Sequence, residues 1–592
     1  MSMRSRPVAT RSRLYVVLGM LGLASSALVV RAVDLQVVRK DFYQEQGDAR
    51  YLRDLSIPVS RGTIFDRNGE PLAVSTPVDS IWANPPEVLE HADRIPELAK
   101  AAGLDEEALK QKLVERSDKE FIYLKRHLNP DDAQAILKLD IPGVASQREF
   151  KRYYPSGEVF GHVLGYTNID DRGQEGLELA FDDWLAGKPG VKRVIRDRKG
   201  HEVENVELVR EAQAGRDLTL SIDRRIQYLA YRELKAALAE HHATSGSMVI
   251  LDVPSGEILA MVNQPSFNPN ARTNVDPSYR RNRAVTDVVE PGSTMKAFTI
   301  SAALETGKWK IHTPVDTRPG TYTLYGHTIS DVHNKGLIDV TGVITYSSNV
   351  GAAKIAATMT RDHMYDVFHR FGFGEVTGSG FPGESPGYLP VAKAWGPVEQ
   401  ATLAYGYGLN ATPLQVAQGY ATLANDGRLH SPTFVKGAQN PERAVVDPQI
   451  AANLRAMLET VIVSPTGGGA IKARVTNYRV AGKTGTARTA VGGGYQKKYT
   501  SLFAGMIPAS HPRLVGVVVI REPQGAFYGS LVAAPVFGRV MDGAVRLLDV
   551  PPDDVQNWYA GSPESARRIQ APRQAPDGAD EMSGTDDGVP IE

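Results

Sequence analysis

The stretch Glu290-Pro291-Gly292-Ser293-Thr294-Met295-Lys296 breaks the chain with proline and glycine, then opens an Ala-rich run, Ala297 to Thr306, with helical texture. Ser293 is therefore expected at a helix N-terminus. Lys296 follows at i+3, which stacks its amine over the serine on one helix face, and the positive end of the helix dipole favours a developing oxyanion. A serine needs such a neighbour to lose its proton. Buried and near other cations, the Lys296 amine would fall in pKa and serve as the general base that histidine supplies elsewhere. Taken alone, a Ser-x-x-Lys pair arises by chance about once or more in a chain this long, and the bland reading is a solvated helix turn.

Two further elements change that weighing. Ser347 lies 54 residues after Ser293 in Tyr346-Ser347-Ser348-Asn349-Val350-Gly351, on a short loop before a second Ala-rich helix. There Ser347 can relay a proton to a leaving amine and Asn349 can hold a substrate carbonyl; on its own, Ser-Ser-Asn is an ordinary helix N-cap. The third element is Arg479-Val480-Ala481-Gly482-Lys483-Thr484-Gly485-Thr486-Ala487. Strand periodicity puts Thr484 and Thr486 on one face with the side-chain-free Gly485 between them, leaving room for a substrate backbone to pair along the edge. Lys483 adds a positive charge suited to a substrate carboxylate. A phosphate-binding loop is excluded, because that motif needs a glycine five residues before Gly482 and Asn477 stands there.

At 592 residues the chain is too long for one ordinary core, and two or three domains are expected. Lys+Arg and Asp+Glu nearly cancel, 67 − 68 = −1, so there is no global field for nucleic acid. Hydrophobic residues at 42% and charged residues at 23% fit a globular protein rather than a disordered or polytopic one. Zero cysteines exclude disulfides, thiolate metal sites and cysteine nucleophiles. The adjacent pair His241-His242 points 100° apart on a helix and no His-Glu-x-x-His occurs, so neither a metal nor a cofactor site is expected.

Leu14 to Val30 carry no charge, and counting on to Val33 with Arg31 snorkelling gives a run of bilayer-spanning length. Arg4, Arg6, Arg11 and Arg13 precede it, and Asp34 and Asp41 follow, so the positive-inside rule places residues 1–13 in the cytoplasm and the body outside. The rival is a cleaved signal peptide with an apolar core at Leu14 to Leu23 and a small-residue site at Ser25-Ser26-Ala27; run length and flanks favour a retained anchor. Residues 34–216 read as short mixed elements, including a charged helical region near 86–140. From 217 to 550 apolar strands (Ser247 to Val253, Glu257 to Val262, Leu514 to Ile520) alternate with helical runs such as Pro413 to Asn425. Residues 551–592 are rich in Pro, Gly, Asp and Ser and read as a disordered tail.

Ser-x-x-Lys, Ser-x-Asn and Lys-Thr-Gly in this order resemble the penicillin-binding protein and serine β-lactamase superfamily. Arg61-Gly62-Thr63-Ile64-Phe65-Asp66-Arg67-Asn68-Gly69, Gly176-Leu177-Glu178 and Gly187-Lys188-Pro189-Gly190 look like motifs of the non-catalytic domain of class B penicillin-binding proteins. Arg281-Asn282-Arg283 through Lys296, Tyr405-Gly406-Tyr407-Gly408 through Pro413, and Tyr528 through Phe537 are similar to the FtsI-type cell-division D,D-transpeptidases. The likeness covers roughly residues 14 to 550 and leaves the tail outside.

The resemblance implies an α+β architecture: an α/β sandwich of mostly antiparallel sheet with flanking helices, after an elongated pedestal domain and one transmembrane helix. It implies that Ser293 attacks the penultimate D-Ala carbonyl of a peptidoglycan stem peptide and passes the acyl group to an amine on a neighbouring stem. Backbone N–H groups of Ser293 and Thr486 would form the oxyanion hole. Lys296 would be the base, Ser347 and Lys483 a proton-relay pair, Asn349 a positioning group, and Thr484 and Thr486 would bind the substrate carboxylate. β-Lactams would acylate the same serine. Implied partners are a SEDS-family division glycan polymerase and other division proteins, at the septum of the inner membrane with the catalytic domain periplasmic. Competing readings are an elongation-type class B transpeptidase, a β-lactam sensor and a silent division scaffold. A soluble β-lactamase would not need the extra 180 residues and the anchor, and a bifunctional class A enzyme would need a glycosyltransferase domain before residue 217.

Overall fold

The computed structural model describes residues 10–40, 52–196, 202–463, 469–491 and 494–554. The first nine residues of the expected cytoplasmic segment, the glycines at 467, 468, 492 and 493, and residues 555–592 of the expected tail lie outside the described residues. The tail segment 551–554 is tied down: Asp553 accepts bonds from Arg479 N at 2.7 Å and from Ser510 Oγ at 2.8 Å.

The apolar run forms one helix, α1 (Thr10–Val33), continued by a wider turn, Asp34–Val38. The helix is 24 residues long, or about 36 Å at 1.5 Å per residue, enough to cross the roughly 30 Å hydrocarbon core of a bilayer. Arg31, expected to snorkel, pairs with Asp34 at 2.7 Å. The chain therefore carries an N-terminal helix long and apolar enough for a membrane anchor.

Beyond it the chain folds into two compact units that do not follow a single cut. The first unit takes residues 1–60, 77–151 and 187–215; the second takes 61–76, 152–186 and 216–592. In the first, β1 (Leu52–Ile57) pairs with β5 (Gly190–Arg196), which pairs with β6 (Glu202–Arg210), all antiparallel. The chain between them supplies β2 (Pro71–Ala83), α2 (Ile95–Ala102), α3 (Glu106–Glu115), β3 (Ile122–Leu128), α4 (Pro130–Leu137) and β4 (Val144–Tyr153). α2, α3 and α4 close a small core that includes Ile81, Leu98, Leu113 and Ile136. α3 starts on Asp105, whose carboxylate accepts from Ala108 N at 2.9 Å.

The second unit holds α5 (Arg224–Glu240), β7 (Ser245–Asp252), β8 (Ile258–Gln264), α6 (Lys296–Glu305), α7 (Asn349–Ala356), α8 (Pro413–Ala424), α9 (Pro448–Val463), β9 (Ala481–Val491), β10 (Gly494–Ile507), β11 (Leu514–Arg521) and α10 (Gly529–Leu547). The strands form one antiparallel sheet in the order β8-β7-β11-β10-β9. β7 and β8 are buried at every position. Unbroken burial along a strand requires cover on both faces, and this is a sheet sandwiched by helices. α5 and α10 pack on one another and on the sheet, and α8 packs on β7, β10 and β11. In β11, Gly516 exists to admit Met541 and Phe537 of α10: a Cβ there would stand 2.2 Å from the Met541 methyl.

The motif residues Arg61 and Glu178, together with Arg152, belong to this second unit. Arg61 donates to Glu178 Oε2 at 2.7 Å and Asp182 Oδ1 at 2.6 Å; Arg152 donates to Glu178 Oε1 at 2.6 Å. Both arginines and Glu178 are buried.

Candidate active site

Ser293 sits in a single 3₁₀ turn, Gly292–Met295, immediately before α6, rather than in the α-helix itself. Gly292 has φ +56°, a left-handed value that glycine tolerates. The turn is pinned from three sides: Gly292 N donates to Gly406 O at 3.2 Å, Thr294 Oγ1 to Pro291 O at 2.8 Å, and the buried Tyr420 hydroxyl to Thr294 O at 3.0 Å. α6 is buried at every position from Lys296 to Leu304, so it is a central helix with no solvated face. That placement, and not local propensity, buries the Lys296 amine.

In the second motif both readings of Ser-Ser-Asn hold, for different residues. Ser348 is the N-cap of α7, its Oγ accepting from Gly351 N at 2.8 Å. Ser347, one residue earlier, has φ +58°, unusual for a residue with a side chain. The loop is clamped by a residue the motif reading did not identify: Asp331 accepts from Ser348 Oγ at 2.6 Å, from Val350 N at 2.9 Å and from Asn349 N. A carboxylate at a helix N-terminus is favoured by its unpaired N–H groups and dipole.

Lys483 lies on β9, an edge strand as the substrate-pairing idea requires, hydrogen-bonded only to β10 within the sheet. Gly485 has an internal reason to lack a side chain: a Cβ would stand 2.7 Å from Pro291 O of the nucleophile turn. Thr486 Oγ1 accepts from Gly529 N at 3.1 Å. The turn lies directly against this strand, a Cβ on Gly292 meeting Thr486 O at 3.4 Å.

The three motifs converge on a continuous chain of polar atoms. Lys296 Nζ is 3.1 Å from Ser293 Oγ, 3.2 Å from Ser347 Oγ and 2.7 Å from Asn349 Oδ1, and it also donates to the Ser347 carbonyl. Lys483 Nζ is 2.9 Å from Ser347 Oγ. Asn349 Nδ2 donates to Ser330 O at 3.2 Å, which turns its Oδ1 towards Lys296. Asn349, expected to hold substrate, thus holds the lysine here.

Both amines are fully buried, and no carboxylate among the described residues bonds either. Burial first, then the Lys483 charge, holds Lys296 well below the ordinary lysine range, against a smaller opposing pull from Asp331. Burial alone lowers Lys483 to about 7. The geometry around Lys296 suits the neutral amine. Two of its four neighbours, the Ser347 carbonyl and Asn349 Oδ1, can only accept. An –NH₂ group donates one hydrogen to each and keeps its lone pair for a hydroxyl proton, and the Ser293 hydroxyl is at hand.

Among the described residues no group of three or more His, Asp or Glu is arranged to hold a metal ion.

Residues 246–542 match the penicillin binding protein transpeptidase domain, and residues 56–220 the penicillin-binding protein dimerisation domain. The chain is 45% identical to a probable peptidoglycan D,D-transpeptidase PbpC of Pseudomonas aeruginosa, over 92% of this chain and 97% of that one. It is 43% identical to the peptidoglycan D,D-transpeptidase FtsI of Escherichia coli, over 91% and 92%. Among solved structures, penicillin binding protein 3 of Mycobacterium tuberculosis complexed with aztreonam is similar at a TM-score of 0.66 and 27% identity, over 84% of this chain and 98% of that one. The fold is that of a penicillin-binding transpeptidase. The chain belongs to the penicillin-binding protein family of peptidoglycan D,D-transpeptidases, FtsI-type in its relatives and with a dimerisation domain ahead of the transpeptidase domain.

Proposed function

We propose that the chain cross-links peptidoglycan stem peptides through an acyl-enzyme on Ser293, during septal wall synthesis. The observation that carries the residue roles is the unbroken path Ser293 Oγ, Lys296 Nζ, Ser347 Oγ, Lys483 Nζ, with steps of 3.1, 3.2 and 2.9 Å.

Neutral Lys296 takes the Ser293 proton as Oγ bonds to the penultimate D-Ala carbonyl carbon. The resulting oxyanion faces the N–H groups of Ser293 and Thr486. The bond to the terminal D-Ala nitrogen then breaks, and that amine receives a proton through Ser347 Oγ, with Lys483 and Lys296 on either side as proton reservoirs. An acceptor amine on a second stem attacks the ester, its proton returns by the same path, and Ser293 is released. Lys483, charged in part near neutral pH because of its lowered pKa, also faces the substrate carboxylate together with Thr484 and Thr486, while Gly485 lets the nucleophile turn close against the strand. β-Lactams acylate the same serine, in keeping with the aztreonam complex of the solved relative.

The sequence division into an anchor (14–33), a pedestal (34–216) and a transpeptidase domain (217–550) is the functional division we adopt. α1 anchors the chain with its N-terminus cytoplasmic and the catalytic unit periplasmic, at the septum and beside a SEDS-family glycan polymerase and other division proteins. The FtsI name of close relatives supports the septal assignment over elongation. The deciding experiment is fluorescent penicillin labelling of the full chain, with the adduct mapped by mass spectrometry. Labelling on Ser293, abolished in Ser293→Ala, is expected; labelling elsewhere would overturn the assignment. Depletion in the cell should give filaments, whereas rounded cells would point to elongation.

A further inference from the structure

Just upstream of the nucleophile turn, two arginines share one carboxylate, and a third from β11 lies close to it. Arg281 Nε is 2.9 Å from Asp287 Oδ1, and Arg283 Nη1 is 3.1 Å from Asp287 Oδ2. Arg521, at the end of β11, donates to Val288 O at 2.8 Å and lies within electrostatic range of Asp287, Arg281 and Arg283. Burial holds the Arg521 guanidinium below its ordinary pKa; Asp287 pulls it partly back up, and Arg283 and Arg281 push it down again. The other nearby carboxylates are spent elsewhere: Glu522 bonds Lys498 at 2.9 Å, and Asp276 caps Ser278 N at 2.8 Å. Three cations gathered on one bonded anion repel one another, an arrangement that a second carboxylate would relieve by bidentate pairing.

The position of the cluster identifies a source for that carboxylate. Arg521 is in register with Thr500 of β10, and Thr500 with Ala487 of β9, so Arg521 sits two strands in from Ala487, or about 10 Å. Ala487 follows Thr486, which touches the nucleophile turn. The Arg521 backbone therefore stands roughly 10 to 15 Å from Ser293, the span of three to four extended residues.

We propose that Arg281, Arg283 and Arg521 form a subsite for a carboxylate of a stem peptide, several residues away from the carbonyl that reacts at Ser293. The inference rests on the transpeptidase reading above and adds a specificity site to it. The carboxylate can belong to the donor stem or to the acceptor stem, and two assay arms separate them.

In the donor arm, a synthetic stem pentapeptide ending in D-Ala-D-Ala is compared with the same peptide amidated at every carboxylate except the terminal one. In the acceptor arm, an uncharged thioester donor is held constant and a stem tripeptide is compared with its amidated form. Each is run with full-length parent and Arg521→Gln protein, and penicillin acylation of Ser293 is measured alongside. The parent should favour the free carboxylates about tenfold in kcat/KM in one arm, the scale of a charge-assisted pair. Arg521→Gln should erase that preference while leaving the amidated peptide and penicillin acylation unchanged. No preference in either arm, or a preference that survives the substitution, overturns the subsite and leaves an Asp287-bridged arginine surface. Should Arg521→Gln lose penicillin labelling, the more exposed Arg281→Gln carries the same test. A parent that penicillin fails to acylate would instead refute the transpeptidase reading.

Discussion

Two sets of buried cations occupy the same compact unit, and they differ in whether a carboxylate is buried with them. Around Glu178, two arginines are paired at 2.6 and 2.7 Å. Burial pulls the Arg61 pKa down, but Glu178 and Asp182 outweigh it and leave it raised. Around Ser347, two lysines are equally buried and have only hydroxyl, carbonyl and carboxamide partners. Only a weaker pull of Asp331 on Lys296 opposes desolvation there, so the amines shift towards neutrality instead. A buried cation with a carboxylate keeps its charge; one without it is pushed towards the neutral form.

The sharpest way to break this contrast is to make the base permanently charged. Lys296→Arg keeps the positive charge but cannot give up its proton. The second-order rate of Ser293 acylation by a β-lactam, followed by mass spectrometry, should fall by at least about 100-fold in a protein that still folds. Near-parental acylation would remove Lys296 from the role of base and leave Ser347 with Lys483 as the route for the serine proton.

The converse test strips the anion from the structural cluster. Glu178→Gln leaves Arg61 with Asp182 as its carboxylate and takes the paired carboxylate from Arg152, and a broken buried pair costs about 3–5 kcal/mol. Thermal unfolding should therefore move down markedly, while the acylation rate of the folded protein at low temperature stays near the parental value. An acylation defect in protein that remains folded would mean that the arginine cluster acts on the site and not on stability alone.

These two clusters were not equally legible in the sequence. Ser293 and Lys296 are one helical turn apart, and Lys483 and Gly485 alternate on a strand, so local periodicity brings out both pairs. Glu178 meets Arg61 across 117 residues, and no short spacing records that. Asp331 was missed for the same reason: it clamps the Ser347 loop from the turn after an exposed hairpin, and in the sequence it is one acidic residue among many. The division into compact units was also hidden, because 61–76 and 152–186 return to the transpeptidase side of a boundary that composition places near 216. Gly485 shows the opposite difficulty. Its missing side chain was legible, but the atom that needs the space belongs to Pro291 of the chain itself.

Asp331 offers an intermediate case, a half-buried carboxylate near the lysines that bonds neither of them. Asp331→Asn keeps an oxygen for Asn349 N and Val350 N, but loses the helix-capping charge and leaves the Ser348 hydroxyl facing an amide. Charge at a helix N-terminus contributes about 0.3–1 kcal/mol, and a lost capping bond about as much again. Acylation should drop by roughly tenfold, in step with a loosened Ser347 and Asn349. An unchanged rate would show that the loop holds its geometry without the carboxylate.

The smallest effect separates the clusters by pH. Lys483 titrates near 7 when folded and near 10.4 when unfolded, so between those values the unfolded chain binds more protons. Stability contributed by this group therefore rises with pH from about 7 to about 10, by at most about 1.4 kcal/mol per pH unit. Asp171, beside Arg61 and Arg152, goes the other way: burial raises its carboxyl to about 6, so it favours the folded state when protonated and loses that contribution as pH climbs from about 4 to about 6. Equilibrium denaturation across pH 4 to 10 should thus show opposite slopes in the two windows. Lys483→Met should make the upper slope shallower, leaving the part that Lys296 supplies, and Asp171→Asn should flatten the lower one. A parental curve without the alkaline rise would mean that both lysines stay charged in the folded protein, which would count against a neutral Lys296 base as well as against the Lys483 relay.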